Sequence, residues 1–329
     1  MNKIVVTGGA GFIGSHMVEM LLERYPQAKV TILDKMTYAT NIRSILHLAS
    51  DPRVNLIVGD ICEMYTCQKA VKDANLVIHA AAESHVDNSF GNSLEFTRSN
   101  TLGTHTLIEA CRVLNVPRII HVSTDEVYGE IIEGSADEDY PLKPTNPYSA
   151  SKAAAEMIVQ GYLQSFKLPV VILRANNIFG IRQYPEKIIP KFIMALMRGE
   201  KLTLHGTGKN TRHYLSAHDL MKALILLIEK GKIGECYNIG TVEEYQNLDV
   251  ASMICGLFGL KAEEHITFVT DRPFNDARYA VDWDKISALG WKPQSNLKAE
   301  LPAMAAWYAE HFDLYEPKPA VRQPLKGVA

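Results

Sequence analysis

A hydroxyl and two neighbouring carboxylates, Thr124-Asp125-Glu126, follow the apolar run 119–122, and some twenty residues later come Tyr148 and Lys152. The apolar run reads as a buried parallel strand, so the first three groups sit at its C-terminal end, where open α/β sheets place ligands. Tyr148 and Lys152 are four apart in a helical pattern and share one helix face. A free phenol, with a pKa near ~10, is a poor base at neutral pH. A cation beside it, or a positive ring, favours the phenolate and makes it able to take a hydroxyl proton. Two carboxylates in different environments can divide the roles of acid and base. If the fold joins the two segments, one pocket holds a Thr, an Asp, a Glu, a Tyr and a Lys, and the last two are suited to taking an alcohol's proton as its hydride leaves.

Such a pocket needs a hydride acceptor, and the start of the chain offers a site for one. The short β-branched run 3–7 is followed by Gly8-Gly9-Ala10-Gly11-Phe12-Ile13-Gly14 and then by an amphipathic stretch through Leu22. Glycines at 8, 11 and 14 permit a tight turn and let backbone N–H groups approach a pyrophosphate at a helix N-terminus. A second strand over 30–33 ends in Asp34, twenty residues after Gly14. A carboxylate there accepts from ribose hydroxyls and repels a 2′-phosphate, which favours NAD over NADP. Strands are also expected at 54–59, 76–79, 118–122 and 169–173, with helices over 93–114 and 148–166. Asp60-Ile61 closes the third strand, placed to meet the adenine edge. Ala80-Ala81-Ala82 follows the fourth, where a cofactor backbone can pass closely. This alternation predicts a Rossmann-like, doubly wound parallel sheet.

After residue 174 the texture changes. Residues 176–190 read as a polar loop overlapping a helix over 188–198. Short strands are expected at 202–205 and 212–215 around the turn Gly206-Thr207-Gly208. Another at 237–240 is a candidate to join the first sheet, and helices are expected at 249–258, 284–289 and 298–312. The expected division is an NAD-binding domain over 1–174, completed by a strand near 235–240, a smaller C-terminal α/β substrate lobe over 175–314, and an extended tail over 315–329 containing Pro317, Pro319 and Pro324.

The 329 residues are 47% hydrophobic and 22% charged, with 34 Lys+Arg against 37 Asp+Glu, so no basic footprint for nucleic acid is present. No apolar stretch is long enough to span a bilayer, and a glycine motif beginning at residue 8 argues against a signal peptide. Five cysteines without C-x-x-C spacing point to a reduced cytoplasmic protein with free thiols, and no His/Cys/Asp/Glu cluster has metal-ligand spacing.

The glycine spacing with Tyr148-x-x-x-Lys152 resembles the extended short-chain dehydrogenase/reductase superfamily, and Thr124-Asp125-Glu126 narrows the resemblance to the nucleotide-sugar 4,6-dehydratases. The stretches 34–39, 82–87, 183–190 and Asp271-Arg272-Pro273 agree with that pattern. Asn88 and Phe274-Asn275 depart from the bacterial dTDP-glucose form and look more like plant UDP-glucose dehydratase domains, so thymine and uracil nucleotides both remain open. The resemblance implies that Glu126 removes the C5 proton of a 4-keto sugar, Asp125 protonates the departing C6 hydroxyl, and Thr124 holds the C4 oxygen. Tyr148 is the hydroxyl base and Lys152 its activator. Lys35 and Thr37 join the cofactor site. Ser84, His85, Asn177, Glu186, Lys187 and Asn247 face the nucleotide sugar, and Arg212, Arg272 and Arg278 face its diphosphate. It also implies a homodimer packed through the 93–114 and 148–166 helices. Related 4-epimerases carry Ser-Ser or Ser-Ala in place of Asp125-Glu126, and UDP-glucuronate decarboxylases usually have Ser at the position of Asp125. A binding scaffold that had lost turnover would have no use for the five polar groups.

Overall fold

A computed structural model describes residues 1–40 and 45–315. The tail expected at 315–329 lies, apart from Tyr315, outside the described residues. Seven strands, β1 (Lys3–Thr7), β2 (Lys29–Asp34), β3 (Val54–Val58), β4 (Leu76–His79), β5 (Ile119–Thr124), β6 (Val170–Ala175) and β10 (Cys236–Ile239), form one sheet. Their order is β10-β6-β5-β4-β1-β2-β3 and every pairing is parallel. The order reverses between β1 and β4. Gly8 leaves one of these strands and Ala80 the other, so the crevice at the switch point opens on the glycine turn.

Both faces of the sheet are covered, which is why β5 and β6 are buried along their whole length. Helices Phe12–Arg24 and Ala217–Lys230 cover one face with Met17, Leu21, Leu220 and Leu224. Met64–Val71, Gly103–Val113 and Pro147–Phe166 cover the other with Val71, Leu107, Ile108 and Val159. Each such side chain contributes roughly 1.5–3 kcal/mol on burial. Ala217–Lys230 was unforeseen from the sequence, although its apolar residues recur at helical spacing.

The long helix expected at 93–114 is interrupted. Residues Ser93–Phe96 and Gly103–Val113 are α-helical, but Thr97–Leu102 is wound as a π-helix. Such segments often mark functional regions. Here the Asn100 side chain accepts from Glu83 N at 2.8 Å and donates to Glu83 O and Ser151 Oγ, both at 2.9 Å. It ties the loop after β4 to the Tyr148 helix.

The second lobe holds β7 (Asn177–Phe179), β8 (Leu202–His205), β9 (Thr211–Ser216), β11 (Glu244–Gln246) and β12 (Ile266–Val269). A separate core built on helices Ile188–Met197, Asn247–Leu257 and Leu297–Glu310 lies beneath them. The strands on either side of Gly206-Thr207-Gly208 do not pair with each other. β8 joins β12, and β9 lies between β11 and β7. Backbone N–H groups that a hairpin would use go elsewhere, Gly206 N to Val269 O at 3.0 Å and Thr211 N to Ala277 O at 2.8 Å.

Candidate active site

The glycine turn is shaped by close approach. Gly8 has φ +68°, and a Cβ there would lie 2.8 Å from Ala81 Cα; one on Gly14 would lie 2.0 Å from the Gly8 carbonyl oxygen. Buried Asp34 fixes the loop, accepting from Ala10 N at 3.0 Å through Oδ2 and from Met36 N at 2.8 Å through Oδ1. Gly8, Gly11, Phe12, Ile13, Gly14, Asp34, Lys35 and Thr37 line one long cavity, and Asp60, Ile61, Ala80, Ala82, Tyr148 and Lys152 line it as well. Lys35 Nζ bridges Asp60 at 3.2 Å and Glu95 at 3.1 Å. A helix N-terminus, a turn with no room for side chains and a buried carboxylate at the end of β2 together fit a dinucleotide without a 2′-phosphate.

Asn146 and Ser149 form a capping box with Pro147 at the first helical turn, so the helix carrying Tyr148 and Lys152 starts at the cavity wall. Lys152 Nζ donates to Val122 O at 2.8 Å, which ties it to β5. Burial pushes Lys152 down to about 8, and the Glu156 carboxylate one turn further along opposes the shift. The Tyr148 phenol is raised, first by burial and then by the Glu126 charge, while a hydrogen bond with Thr124 works the other way. The expected lowering by Lys152 is therefore not present in the protein alone. Burial and the neighbouring carboxylates Glu126 and Asp125 set the direction instead.

The two carboxylates occupy different surroundings. Burial raises Asp125 to about 7, with Glu126 adding to the shift and hydrogen bonds from Asn176 and Thr124 opposing it. Asn176 Nδ2 donates to Asp125 Oδ2 at 2.8 Å, and Thr124 Oγ1 donates to Oδ1 at 3.2 Å. Glu126 is also raised by burial, but the cations Arg212, Lys187 and Arg272 pull it back. The two carboxylates are thus both raised by burial but differ in their neighbours, amide and hydroxyl donors at Asp125 and three cations at Glu126.

A second cavity adjoins the first and shares Glu126, Asn177, Glu186 and Lys187 with it. His85, Arg212, Asn247 and Arg272 line its walls, whereas Ser84 lines the dinucleotide side. Lys187 Nζ donates to Ser84 O at 2.6 Å, and Glu186 accepts from Tyr38 at 2.8 Å. Among the described residues, Asn177 Oδ1 and Arg272 Nε are buried without a hydrogen-bond partner, while Arg272 Nη1 pairs with Asp87 at 3.1 Å. Arg278 lies apart from the other arginines expected at the diphosphate. Its guanidinium pairs with Glu244 at 2.6 Å and donates to the Ile131 and Gly134 carbonyls, and it lines neither cavity. Three residues not foreseen are Asn176, Asp276 and Tyr279. The last two follow Asp271-Arg272-Pro273 closely, but only the fold reveals what they touch.

A sequence profile described as GDP-mannose 4,6 dehydratase matches residues 5–304. A trifunctional UDP-glucose 4,6-dehydratase/UDP-4-keto-6-deoxy-D-glucose 3,5-epimerase/UDP-4-keto-L-rhamnose-reductase of Arabidopsis thaliana is 45% identical over 94% of this chain. The chain spans only about half of that relative's length, 47%. The dTDP-D-glucose 4,6-dehydratase of Homo sapiens is 41% identical, covering 94% of this chain and 91% of its own. Among solved structures, the dTDP-glucose 4,6-dehydratase of Streptomyces venezuelae with NAD bound superposes with TM-score 0.93 at 38% identity, covering 96% of this chain and 99% of that one. The chain belongs to the nucleotide-sugar 4,6-dehydratases, NAD-dependent enzymes of the short-chain dehydrogenase/reductase superfamily.

Proposed function

We propose that this chain removes water from dTDP-glucose or UDP-glucose to give the 4-keto-6-deoxy sugar nucleotide. The observation that carries this reading is the buried Asp125, held by Asn176 and raised to about 7 beside a Glu126 that faces three cations. NAD held by the glycine turn and Asp34 would supply the hydride acceptor, with hydride leaving C4 and coming back at C6, so turnover is redox-neutral. Thr124 holds the C4 oxygen and Tyr148 accepts the proton of the C4 hydroxyl. Lys152, tied to β5 through Val122 O, would offer its remaining donors to the nicotinamide ribose. Glu126 then removes the C5 proton that the new ketone has acidified, and Asp125 protonates the C6 hydroxyl, which leaves as water. Glu126 returns its proton to C5 as hydride reaches C6, and solvent takes the proton held by Tyr148 and restores the one given by Asp125.

On the same reading, Arg212 and Arg272 neutralise the diphosphate, while His85, Asn177, Glu186, Lys187 and Asn247 line the sugar and nucleoside path. The product is a precursor of a 6-deoxysugar such as rhamnose. Residues 1–174 with helix Ala217–Lys230 and β10 form the NAD-binding unit, and the rest of 175–314 the substrate lobe. A cytoplasmic homodimer fits the unbridged cysteines and the exposed Leu102, Met157 and Phe166 on the 93–114 and 148–166 helices. No helix among the described residues is long and apolar enough to cross a membrane.

The deciding assay incubates the purified protein with dTDP-glucose, UDP-glucose and UDP-N-acetylglucosamine in parallel. A product lighter by one water with no net NADH supports the reading. Inversion at C4 without loss of water from any of them would sink it.

A further inference from the structure

Tyr38 joins two segments that line the dinucleotide cavity from different lobes. Its neighbours Thr37, Ala39 and Thr40 follow β2 and line that cavity, as do Tyr184 and Glu186 from the second lobe. The Tyr38 hydroxyl donates to Glu186 Oε2 at 2.8 Å and accepts from Asn88 Nδ2 at 3.0 Å. A phenol has one proton to give and lone pairs to receive, so both bonds are made at once. The bond to a carboxylate is the stronger kind. The ring also meets the Tyr184 ring edge-on, with centroids 5.6 Å apart.

Both ends of this bridge are anchored. On the cofactor side, Met36 N and Thr40 Oγ1 donate to Asp34 Oδ1 at 2.8 Å and 3.3 Å, so the carboxylate at the end of β2 also shapes the segment that carries Tyr38. On the other side, Lys187, next to Glu186, donates to Ser84 O at 2.6 Å, and Asn88 lies on the short helix Val86–Gly91 just beyond. Tyr38 is itself 48% exposed and packs into none of the buried cores. Its contribution is the link between segments 50 and 148 residues away in sequence.

A turnover in which hydride leaves one carbon and returns to another requires the cavity to hold its dinucleotide from the first transfer to the second. That need rests on the dehydratase reading, whereas the bridge can be measured without any sugar. We propose that Tyr38 is a positioning residue for the cofactor site: by joining the 35–40 segment to Glu186, with Asn88 orienting the phenol, it slows the escape of bound NAD.

The test loads the full-length protein with radiolabelled NAD, chases it with excess unlabelled NAD and follows the label that stays on the protein. Tyr38→Phe keeps the ring against Tyr184 and removes only the hydroxyl. It is expected to release NAD about ten-fold faster than wild type, as losing a hydrogen bond to a charged group costs, with an unchanged circular dichroism spectrum. In a Glu186→Ala background the same Tyr38→Phe substitution is expected to change release by about three-fold at most, because the main bond is already gone. A general loosening of the surface would give the same acceleration in both backgrounds. The proposal is overturned if Tyr38→Phe releases NAD at the wild-type rate, or if its acceleration is undiminished beside Glu186→Ala. A wild-type protein that holds NAD but removes no water from dTDP-glucose or UDP-glucose would instead sink the dehydratase reading, and the release rates would still decide the bridge.

Discussion

Asn176 holds Asp125 by a single oriented contact: its Nδ2 donates to Asp125 Oδ2 at 2.8 Å while its Oδ1 accepts from Thr241 N at 3.1 Å. The Thr241 backbone N–H can only donate, so it fixes which end of the amide faces the carboxylate. The donor opposes the burial that raises Asp125 and fixes the direction in which the acid delivers its proton. Asn176→Ala should therefore slow elimination about ten-fold through lost orientation. It should also move the alkaline limb of elimination to higher pH, because the protonated acid persists longer. Single-turnover product formation against pH measures both, and an unmoved limb would show that the contact does not tune the acid.

The two carboxylates should separate from the redox step. Asp125→Asn and Glu126→Gln are each expected to retain NAD and to form NADH with bound sugar, yet to eliminate by about 100-fold or more slowly, as losing a positioned acid or base costs. Stopped-flow absorbance with product mass resolves the steps. Equal loss of both steps would mean that the pair is misassigned.

Stability should carry the mark of the buried acid. Asp125 keeps its proton to about 7 in the folded protein against an ordinary value of 3.8, so the native state binds more protons than the unfolded chain between those limits. Its contribution to stability therefore falls as pH rises through that window. His79 and His16 act oppositely. Burial holds them at about 3 and about 4, against 6.5, so acidification below that value erodes stability. The melting temperature of Asp125→Asn relative to wild type should rise between about pH 4 and pH 7. A flat difference would rule out the buried proton.

Glu156 joins stability to chemistry. It is fully buried, pairs with buried Arg174, and is the charge that supports Lys152 from the next helical turn. Glu156→Gln breaks a buried pair and is expected to cost about 3–5 kcal/mol in denaturant unfolding. It should also bring Lys152 below its present value of about 8, seen as faster acylation of that amine at neutral pH in the refolded variant. A loss below about 1 kcal/mol would place the pair among the energetically silent ones.

The dinucleotide turn leaves no room for a methyl group. Gly14→Ala would set its Cβ 2.0 Å from the Gly8 carbonyl, so purified protein should lack NAD and show no NADH transient. Retention of the cofactor by that variant would mean that the turn has another way to relax.

What the sequence determined by itself is local. The strand–glycine–helix order, Asp34 at the end of β2, the Thr124-Asp125-Glu126 triplet and the helical spacing of Tyr148 and Lys152 are each set within one strand, turn or helix. Short-range sterics and periodicity suffice to make them legible. Only the tertiary structure decided which distant groups meet them. Asn176 reaches Asp125 across 51 residues and Tyr279 reaches Glu126 across 153. Arg278 has the charge a diphosphate needs but spends it on Glu244 and two loop carbonyls. β8 and β9 flank one turn yet pair with other strands. In each case the outcome depends on which long-range partner satisfies a buried donor or charge first, and neither residue type nor spacing records that.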